Sequence, residues 1–178
     1  MSRIHTPAVD SATGEAAEVF AQVKKAAGRV PNTYAAIGAL SPAALKAILA
    51  LDKVLAAGTL DRKDRETIKL VVSQVAGCDY CVVAHSMLGK AAGLKPDTLG
   101  RLRNGEPTGD ARRDALVRLV RTLTETSGTI STAQFEAIKT AGYTEAQLVE
   151  ISLAIAVIAF TNVFNRINDT SIDFPEFA

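Results

Sequence analysis

Two cysteines and one histidine stand at spacings that place them on a single helix face. Cys78 and Cys81 are three residues apart, and His85 follows Cys81 by four residues. Because an α-helix turns once in about 3.6 residues, side chains three, four and seven residues apart lie on one face. The chain holds 2 cysteines in all. Such a pair, without a sign of export, is more typical of redox or metal chemistry than of a structural disulfide.

The predicted helix starts close to Cys78, a position that favours a reactive thiolate. A free thiol has a pKa of about 8.5, whereas helix N-termini and Cys-x-x-Cys settings lower it to roughly 3.5 to 7.5. Unpaired backbone amides and the helix dipole are the cause, because both stabilise negative charge. The thiolate is the nucleophile, and a second thiol can convert a sulfenic acid into a disulfide. The sequence therefore predicts a redox-active dithiol at Cys78 and Cys81.

A glutamate on the preceding predicted helix is placed to move protons for this dithiol. Glu66 lies about three turns before the bend expected at Gly77, so it reaches the cysteines only if the two helices pack against each other. A carboxylate held there exchanges protons with a thiol or an imidazole, and partial burial is expected to raise its pKa toward the useful range. His85 is the expected intermediate between Glu66 and the sulfurs.

Other interpretations of these residues stay open. In an alanine-rich helix the cysteines can serve as small buried hydrophobic side chains, and Glu66 can be a solvated residue paired with a nearby lysine. Zinc is the main chemical rival, because the thiols, His85 and Glu66 supply four possible ligands. Structural zinc sites usually draw on two paired motifs, however, and a second pair is absent. Haem attachment is excluded because Val82 stands where a histidine is required. We expect no metal and no cofactor.

The four residues recur as polar positions later in the chain, at one constant offset of 84 residues. An offset shared by four positions predicts an internal repeat, with a first copy that keeps its thiols and imidazole and a degenerate second copy over about 114–170. We expect a pseudo-twofold axis to relate the copies. The matched pairs are Glu66 and Glu150, Cys78 and Asn162, Cys81 and Asn165, and His85 and Asp169.

Hydrophobic periodicity, capping residues and glycines predict an all-α fold. Apolar residues recur every three to four positions after Ser, Thr or Asp caps, and no strand pattern of any length is present. Aromatic residues make up only 5% of the chain, and the prevalence of Ala and Leu favours close-packed helices. The predicted helices cover 11–27, 33–40, 43–57, 62–76, 78–92, 96–103, 110–126, 132–141 and 145–168, with a break at Gly128.

Length and charge limit the classes of protein that the chain can belong to. A chain of 178 residues is long enough for one sizeable core, and we expect a single domain over 1–178. The net charge of +1 carries no feature that attracts nucleic acid. The most apolar stretch, Ile151–Phe160, has ten residues with Ser152 as its one polar residue. It is about half of a membrane span, and no signal peptide is recognisable. We expect a cytoplasmic protein that binds neither membranes nor nucleic acid.

The motif resembles the alkylhydroperoxidase D-like branch of the carboxymuconolactone decarboxylase family. Its pattern is a glutamate, eleven residues, Cys-x-x-Cys, three residues and a histidine, and it covers Glu66–Leu70 and Cys78–His85. The resemblance is strongest over residues 42–95, and the helical pattern and closing tail to Pro175 are similar to peroxidase-related members. It implies an AhpD-like helical bundle and a homo-oligomer, either a trimer or a hexamer.

The resemblance also implies an activity and roles for the residues. It implies a thiol peroxidase that reduces organic hydroperoxides in antioxidant defence and is recycled by a dithiol or thioredoxin-like reductant. Glu66 and His85 then form the proton relay, and Cys78 with Cys81 the redox pair. By resemblance Cys81 attacks and Cys78 resolves, whereas the helix start alone favours Cys78. One departure is Tyr80, because the best-characterised branch has a histidine at this position.

Two other functions fit the same sequence. The dithiol can belong to a disulfide oxidoreductase with little peroxidase activity, or to an oligomeric protein whose thiols only sense redox state. Replacing either cysteine by serine distinguishes the two enzymatic functions from the redox-sensing protein. Turnover is lost in a peroxidase or an oxidoreductase, whereas ligand binding survives in a protein whose thiols only sense redox state.

Overall fold

Helix follows helix along the described chain. The computed structural model describes residues 2–127 and 129–175, and within these ranges it contains one short 3₁₀-helix, nine α-helices and no β-strand. The all-α prediction is therefore confirmed. The α-helices are α1 (Gly14–Ala27), α2 (Asn32–Leu40), α3 (Pro42–Ala57), α4 (Arg62–Val75), α5 (Asp79–Ala91), α6 (Pro96–Asn104), α7 (Ala111–Thr126), α8 (Thr132–Thr140) and α9 (Glu145–Asn168).

Most predicted boundaries lie within one residue of those in the structure, but the first helix does not. The prediction began it at Ser11, with Ser11 or Thr13 as the cap. In the structure the 3₁₀-helix Val9–Ser11 ends there, Thr13 is the N-cap and α1 begins at Gly14. Ala12 and Thr13 have extended backbone angles, and these two residues interrupt the helix. The break predicted at Gly128 lies outside the described residues.

Side-chain caps explain why several helices begin where they do. The Asp61 carboxylate accepts a hydrogen bond from the Asp64 amide at 2.7 Å and starts α4. Thr144 and Gln147 form a reciprocal capping box at the start of α9. Because the first amides of a helix have no partner within it, such caps favour these starting points over neighbouring ones.

The central element of the core is α4, which packs against α5, α7 and α9. Ile68, Leu70 and Val71 of α4 are fully buried, and burying an aliphatic side chain of this size contributes about 1.5–3 kcal/mol. The N-terminal turn of α4 is anchored by the buried Asp64, which accepts hydrogen bonds from Arg112 at 2.6 Å and from the Tyr143 hydroxyl at 3.1 Å. The helix that carries Glu66 is thereby fixed on several sides.

A tight turn joins α4 to α5 and places the cysteines. Gly77 has φ +63°, a left-handed conformation that glycine adopts without steric cost. The amide of Cys78 donates to the Ser73 carbonyl at 3.0 Å, which closes the end of α4. The chain reverses there, so α5 packs back along α4 and Glu66 faces residues of α5.

The second copy of the predicted repeat follows a different path. The first copy bends at Gly77 between α4 and α5, whereas α9 continues as one helix through the positions at the 84-residue offset. The predicted pseudo-twofold relation is therefore not confirmed. Within the described residues α9 is the one helix long and apolar enough to cross a bilayer. This is weak evidence for a membrane segment, because Ile151, Ala154 and Val157 place one side of α9 in the protein core.

Candidate functional site

The dithiol lies at the start of α5, as the sequence predicted. Cys78 is the N-cap residue of α5 and Cys81 lies in its first turn. Both are free thiols, with only 2% and 3% of their surface exposed. Their sulfurs are therefore shielded from bulk water at the helix end where the dipole favours negative charge.

Glu66 and His85 form a buried pair across α4 and α5. His85 Nδ1 lies 2.8 Å from Glu66 Oε2, and the two side chains are 12% and 11% exposed. The structure thus brings Glu66 to the histidine of the motif, across the bend at Gly77. Among the described residues, no hydrogen bond joins His85 directly to either sulfur, so proton exchange with the thiols must pass through the space that they share.

The expected rise in the pKa of Glu66 is wrong. Burial acts to raise its pKa, but the attraction and hydrogen bond of His85 outweigh burial, so the pKa of Glu66 lies below its ordinary value. Glu66 therefore stays ionised near neutral pH and is a negatively charged partner for the His85 ring. The sequence could not show this, because the sign depends on how closely the partner approaches.

The two thiols titrate as a pair. The hydrogen bond from the Cys81 thiol lowers the pKa of Cys78 to about 7, against the effect of burial. The same hydrogen bond, together with burial, raises the pKa of Cys81. Two adjacent buried thiolates repel each other, so the pair loses one proton readily and holds the second. These opposite shifts favour a thiolate at Cys78 over a thiolate at Cys81.

Two amides of α9 reach the dithiol. Asn165 Nδ2 donates to Cys81 Sγ at 3.2 Å, and Asn162 Nδ2 donates to Ser73 Oγ at 3.0 Å beside the α4–α5 turn. Both residues are almost fully buried, and both side chains favour the charged form of Cys78. The sequence marked these residues by their offset from the cysteines, but it gave no sign of contact with a sulfur.

A cavity of about 530 Å³ opens beside Cys81. This volume is typical of small-molecule sites. Cys81 and His85 line the cavity, whereas Cys78 and Glu66 do not, so Cys81 is the sulfur that faces a bound molecule. The wall consists mainly of apolar and aromatic side chains. Lining residues are Thr33, Tyr34, Tyr80, Cys81, Ala84, His85, Leu88, Thr161, Asn165, Asp173, Phe174 and Pro175, among others.

The tail after α9 forms one wall of this cavity and is held by Tyr80. The Tyr80 hydroxyl donates to Asp173 Oδ1 at 2.8 Å, and the Phe174 ring packs edge-on against the Tyr80 ring with centroids 5.3 Å apart. Asp173 also pairs with Arg29 and accepts from the Asn32 amide. Burial raises the pKa of Tyr80, so it remains a neutral donor. Tyr80 therefore holds the tail rather than taking the place of a relay histidine.

The four predicted site residues thus divide into two adjoining pairs, the thiols and the Glu66–His85 pair. The sequence did not predict the cavity wall from α1, α2 and the tail, because Arg29, Thr33 and Phe174 lie far from the motif along the chain. No group of three or more His, Cys, Asp or Glu side chains in residues 2–127 and 129–175 is arranged to hold a metal ion.

A second cavity of about 300 Å³ lies between α7 and α8. Arg118, Arg121 and Glu125 line it, but no thiol or imidazole does. The chemistry of the motif is therefore confined to the larger cavity.

The family model of the carboxymuconolactone decarboxylase family matches residues 42–121 of this chain. The match includes the whole of the motif from Glu66 to His85. No curated protein matches the chain in sequence.

Solved structures share the fold over almost the whole chain. A peroxidase-related protein from Ralstonia eutropha JMP134, described as uncharacterized and as an alkylhydroperoxidase AhpD core, has a TM-score of 0.84 at 23% identity, covering 97% of this chain and 92% of its own. A similarly described protein from Silicibacter sp. TM1040 has a TM-score of 0.79 at 23% identity, covering 96% and 91%. A variant of the debrominase Bmp8 in complex with 2,3,4-tribromopyrrole has a TM-score of 0.81 at 20% identity, covering 97% and 94%. At these identities the likeness shows a common AhpD-like fold.

Proposed function

We propose that this chain, which matches the family model of the carboxymuconolactone decarboxylase family over residues 42–121, is a thiol-dependent peroxidase that reduces organic hydroperoxides. One observation supports this above the others. Of the two thiols, the one that faces a largely apolar cavity of small-molecule size is Cys81, with His85 beside it on the same wall. A nucleophile, a proton donor and space for an alkyl or aryl group therefore meet in one place.

The first step is a proton transfer within the dithiol. At rest Cys78 carries the negative charge and the Cys81 thiol donates a hydrogen bond to it. Movement of that proton from Cys81 to Cys78 produces a thiolate at the sulfur that faces the cavity. Cys78 thus acts as the base for Cys81, which accounts for the lowered pKa on the sulfur that faces away from the cavity.

The thiolate of Cys81 then attacks the terminal oxygen of the hydroperoxide. The S–O bond forms as the O–O bond breaks, so the sulfur becomes a sulfenic acid and the peroxide leaves as an alkoxide. His85, paired with Glu66, acts as the general acid that gives the alkoxide a proton and releases an alcohol. The sulfur is oxidised by two electrons and the peroxide is reduced by two.

The second thiol completes the cycle. Cys78 attacks Cys81 Sγ, so that the disulfide forms as the S–O bond breaks. The departing hydroxide takes the proton of the Cys78 thiol and leaves as water. An external dithiol small enough to enter the cavity then restores both thiols by exchange.

We propose that the working enzyme is a cytoplasmic homo-oligomer, either a trimer or a hexamer. On α9, apolar residues follow spacings of four and three over more than four turns, and all of them are exposed except the partly buried Leu153. A 3.5-residue repeat of this kind is typical of a helix that packs against another helix. Sedimentation analysis of the purified chain tests this assembly. The stripe consists of Val149, Leu153, Ala156, Phe160, Val163 and Ile167.

The alternative functions make different demands on the thiols. A disulfide oxidoreductase exchanges directly with a protein thiol and requires an exposed sulfur, whereas Cys78 and Cys81 are 2% and 3% exposed. A redox sensor needs a reversible disulfide but no turnover. Burial beside a cavity therefore favours a small-molecule oxidant over a protein substrate.

Steady-state reduction of tert-butyl hydroperoxide and cumene hydroperoxide, with dithiothreitol as the dithiol donor, tests the proposal. We expect turnover by the parent chain and none by Cys81→Ser. A parent chain that shows no turnover while it forms a reducible Cys78–Cys81 disulfide would favour redox sensing or disulfide exchange. Debromination of 2,3,4-tribromopyrrole without peroxide turnover would favour a halogenated substrate.

A further inference from the structure

The side-chain amide of Asn165 is held in one orientation by two partners. Its Oδ1 accepts a hydrogen bond from Thr33 Oγ1 at 2.8 Å, and its Nδ2 donates to Cys81 Sγ at 3.2 Å. Asn165 is 3% exposed and Thr33 is 4% exposed. A hydroxyl that donates to the amide oxygen leaves the NH₂ group pointing at the sulfur. The contact with Cys81 therefore depends on a residue of α2 as well as on α9.

A buried thiolate needs a donor of this kind. Transferring a charge into a site without water is costly unless the charge accepts hydrogen bonds. An N–H donor stabilises a thiolate more than it stabilises a neutral thiol, because hydrogen bonds to charged groups are the stronger ones. When the proton of Cys81 moves to Cys78, the new negative charge lies directly in front of Asn165 Nδ2.

We propose that Asn165 is a catalytic residue of this site, one whose amide stabilises the Cys81 thiolate, and that Thr33 is the positioning residue that aims the amide. This inference rests on the proposed function, because it takes Cys81 as the attacking sulfur. Asn165 also lines the cavity. Asn165 therefore also borders the space that the peroxide enters.

The test measures the acidity of Cys81 without peroxide turnover. In a Cys78→Ser background, the rate of Cys81 alkylation by iodoacetamide is followed by mass spectrometry as a function of pH. We expect Asn165→Ala to raise the midpoint of this profile by about one pH unit, which corresponds to an approximately tenfold lower thiolate fraction below the midpoint. Thr33→Val should shift the midpoint in the same direction by less, and Thr33→Ser should restore it.

Asn168→Ala is the matched control for the loss of a buried amide. Asn168 lies on the same helix, is 1% exposed, and donates to Thr170 rather than to a sulfur. We expect this variant to lower Tm but to keep the parental alkylation profile. If Asn165→Ala and Thr33→Val both keep that profile as well, Asn165 is only a packing residue and the inference is wrong. An Asn165-dependent profile in a chain that reduces no peroxide would contradict the proposed function alone.

Discussion

Helix α5 and the second half of α9 supply polar residues at the same spacing to the same buried region, but the groups differ in kind. Cys78, Cys81 and His85 of α5 exchange protons, and the thiols also exchange electrons. Asn162 and Asn165 of α9 do neither, and they donate hydrogen bonds at a fixed geometry. Helix α5 therefore supplies groups that gain and lose protons or electrons, and α9 supplies hydrogen-bond donors of fixed geometry beside them.

The two glutamates at the same offset make the comparison sharper. Glu66 is buried against His85, whereas Glu150 accepts hydrogen bonds from the amides of Thr59 and Leu60 at 2.8 Å each. Burial acts to raise the pKa of both carboxyls, and hydrogen bonding outweighs burial in both, so both pKa values are lowered. Glu66 thus pairs with the histidine of the candidate site. Glu150, at the matched position 84 residues later, binds the loop before α4 instead.

The largest expected effect separates the two thiols. Cys81→Ser should abolish peroxide reduction and sulfenic acid formation, because it removes the sulfur that faces the cavity. Cys78→Ser should abolish steady-state turnover yet still form one sulfenic acid per chain, which dimedone labelling and mass spectrometry detect. The reverse pattern, with labelling at Cys78 in the Cys81→Ser variant, would make Cys78 the attacking thiol.

The next largest effect is expected at Glu66, with Glu150 as the matched comparison. Glu66→Gln should lower kcat/KM for cumene hydroperoxide by about 10²-fold, because it removes the carboxylate that pairs with His85 in the proton relay. Glu150→Gln should leave kcat/KM within twofold of the parent and destabilise the chain by about 1 kcal/mol, through weaker hydrogen bonds to the Thr59 and Leu60 amides. Steady-state kinetics and urea unfolding on the same samples measure both. Equal losses of activity in the two variants would contradict the assignment of Glu66.

The pH dependence of the reaction distinguishes the thiols at the start of α5, which titrate, from the amides of α9, which do not. The pKa of Cys78 is lowered to about 7, so the rate of the first oxidation by peroxide should rise with pH through about 7. The sign for stability follows from the same shift. The thiolate stabilises the native state at high pH, and this contribution is lost as the pH falls through about 7. Cys78→Ser should move the kinetic midpoint upward, whereas an unchanged midpoint would assign it to another group.

The smallest expected effect concerns the tail that follows α9 and covers the site on α5. Tyr80→Phe removes the hydroxyl that donates to Asp173, and Asp173→Asn weakens the pairing with Arg29. Both should speed alkylation of Cys81 by a bulky maleimide several-fold, since the tail blocks large reagents. Reduction of the smaller tert-butyl hydroperoxide should change by less than about twofold. Unchanged maleimide rates in both variants would show that the tail does not limit access.

Much of the fold could be predicted from local sequence. Caps such as Asp61 and Thr144, the glycines between helices and the 3.6-residue periodicity act over a few residues, so they fix most helix ends without tertiary contacts. The exception was the start of α1, where Ala12 and Thr13 are extended although the pattern of apolar residues runs on.

The candidate site was predictable only in part. The spacing of Cys81 and His85 determined a shared face on α5, because helix geometry follows from the chain alone. Cys78, expected on the same face, is the extended N-cap residue and does not line the cavity. Whether Glu66 reached them depended on the turn at Gly77 and the packing of α4 on α5. The direction of its pKa shift then depended on a 2.8 Å contact, which no spacing specifies.

The sequence by itself determined the helices, the dithiol at a helix start and the residues able to move protons, because these follow from local geometry and from side-chain chemistry. The tertiary structure decided which sulfur faces the cavity and which sulfur is favoured as the thiolate. It also decided that Asn165 contacts Cys81 and that the tail lines the same cavity. The physical reason is that these properties depend on distances and burial between elements as far apart along the chain as α2, α5 and α9, and such distances are set only when the whole core packs.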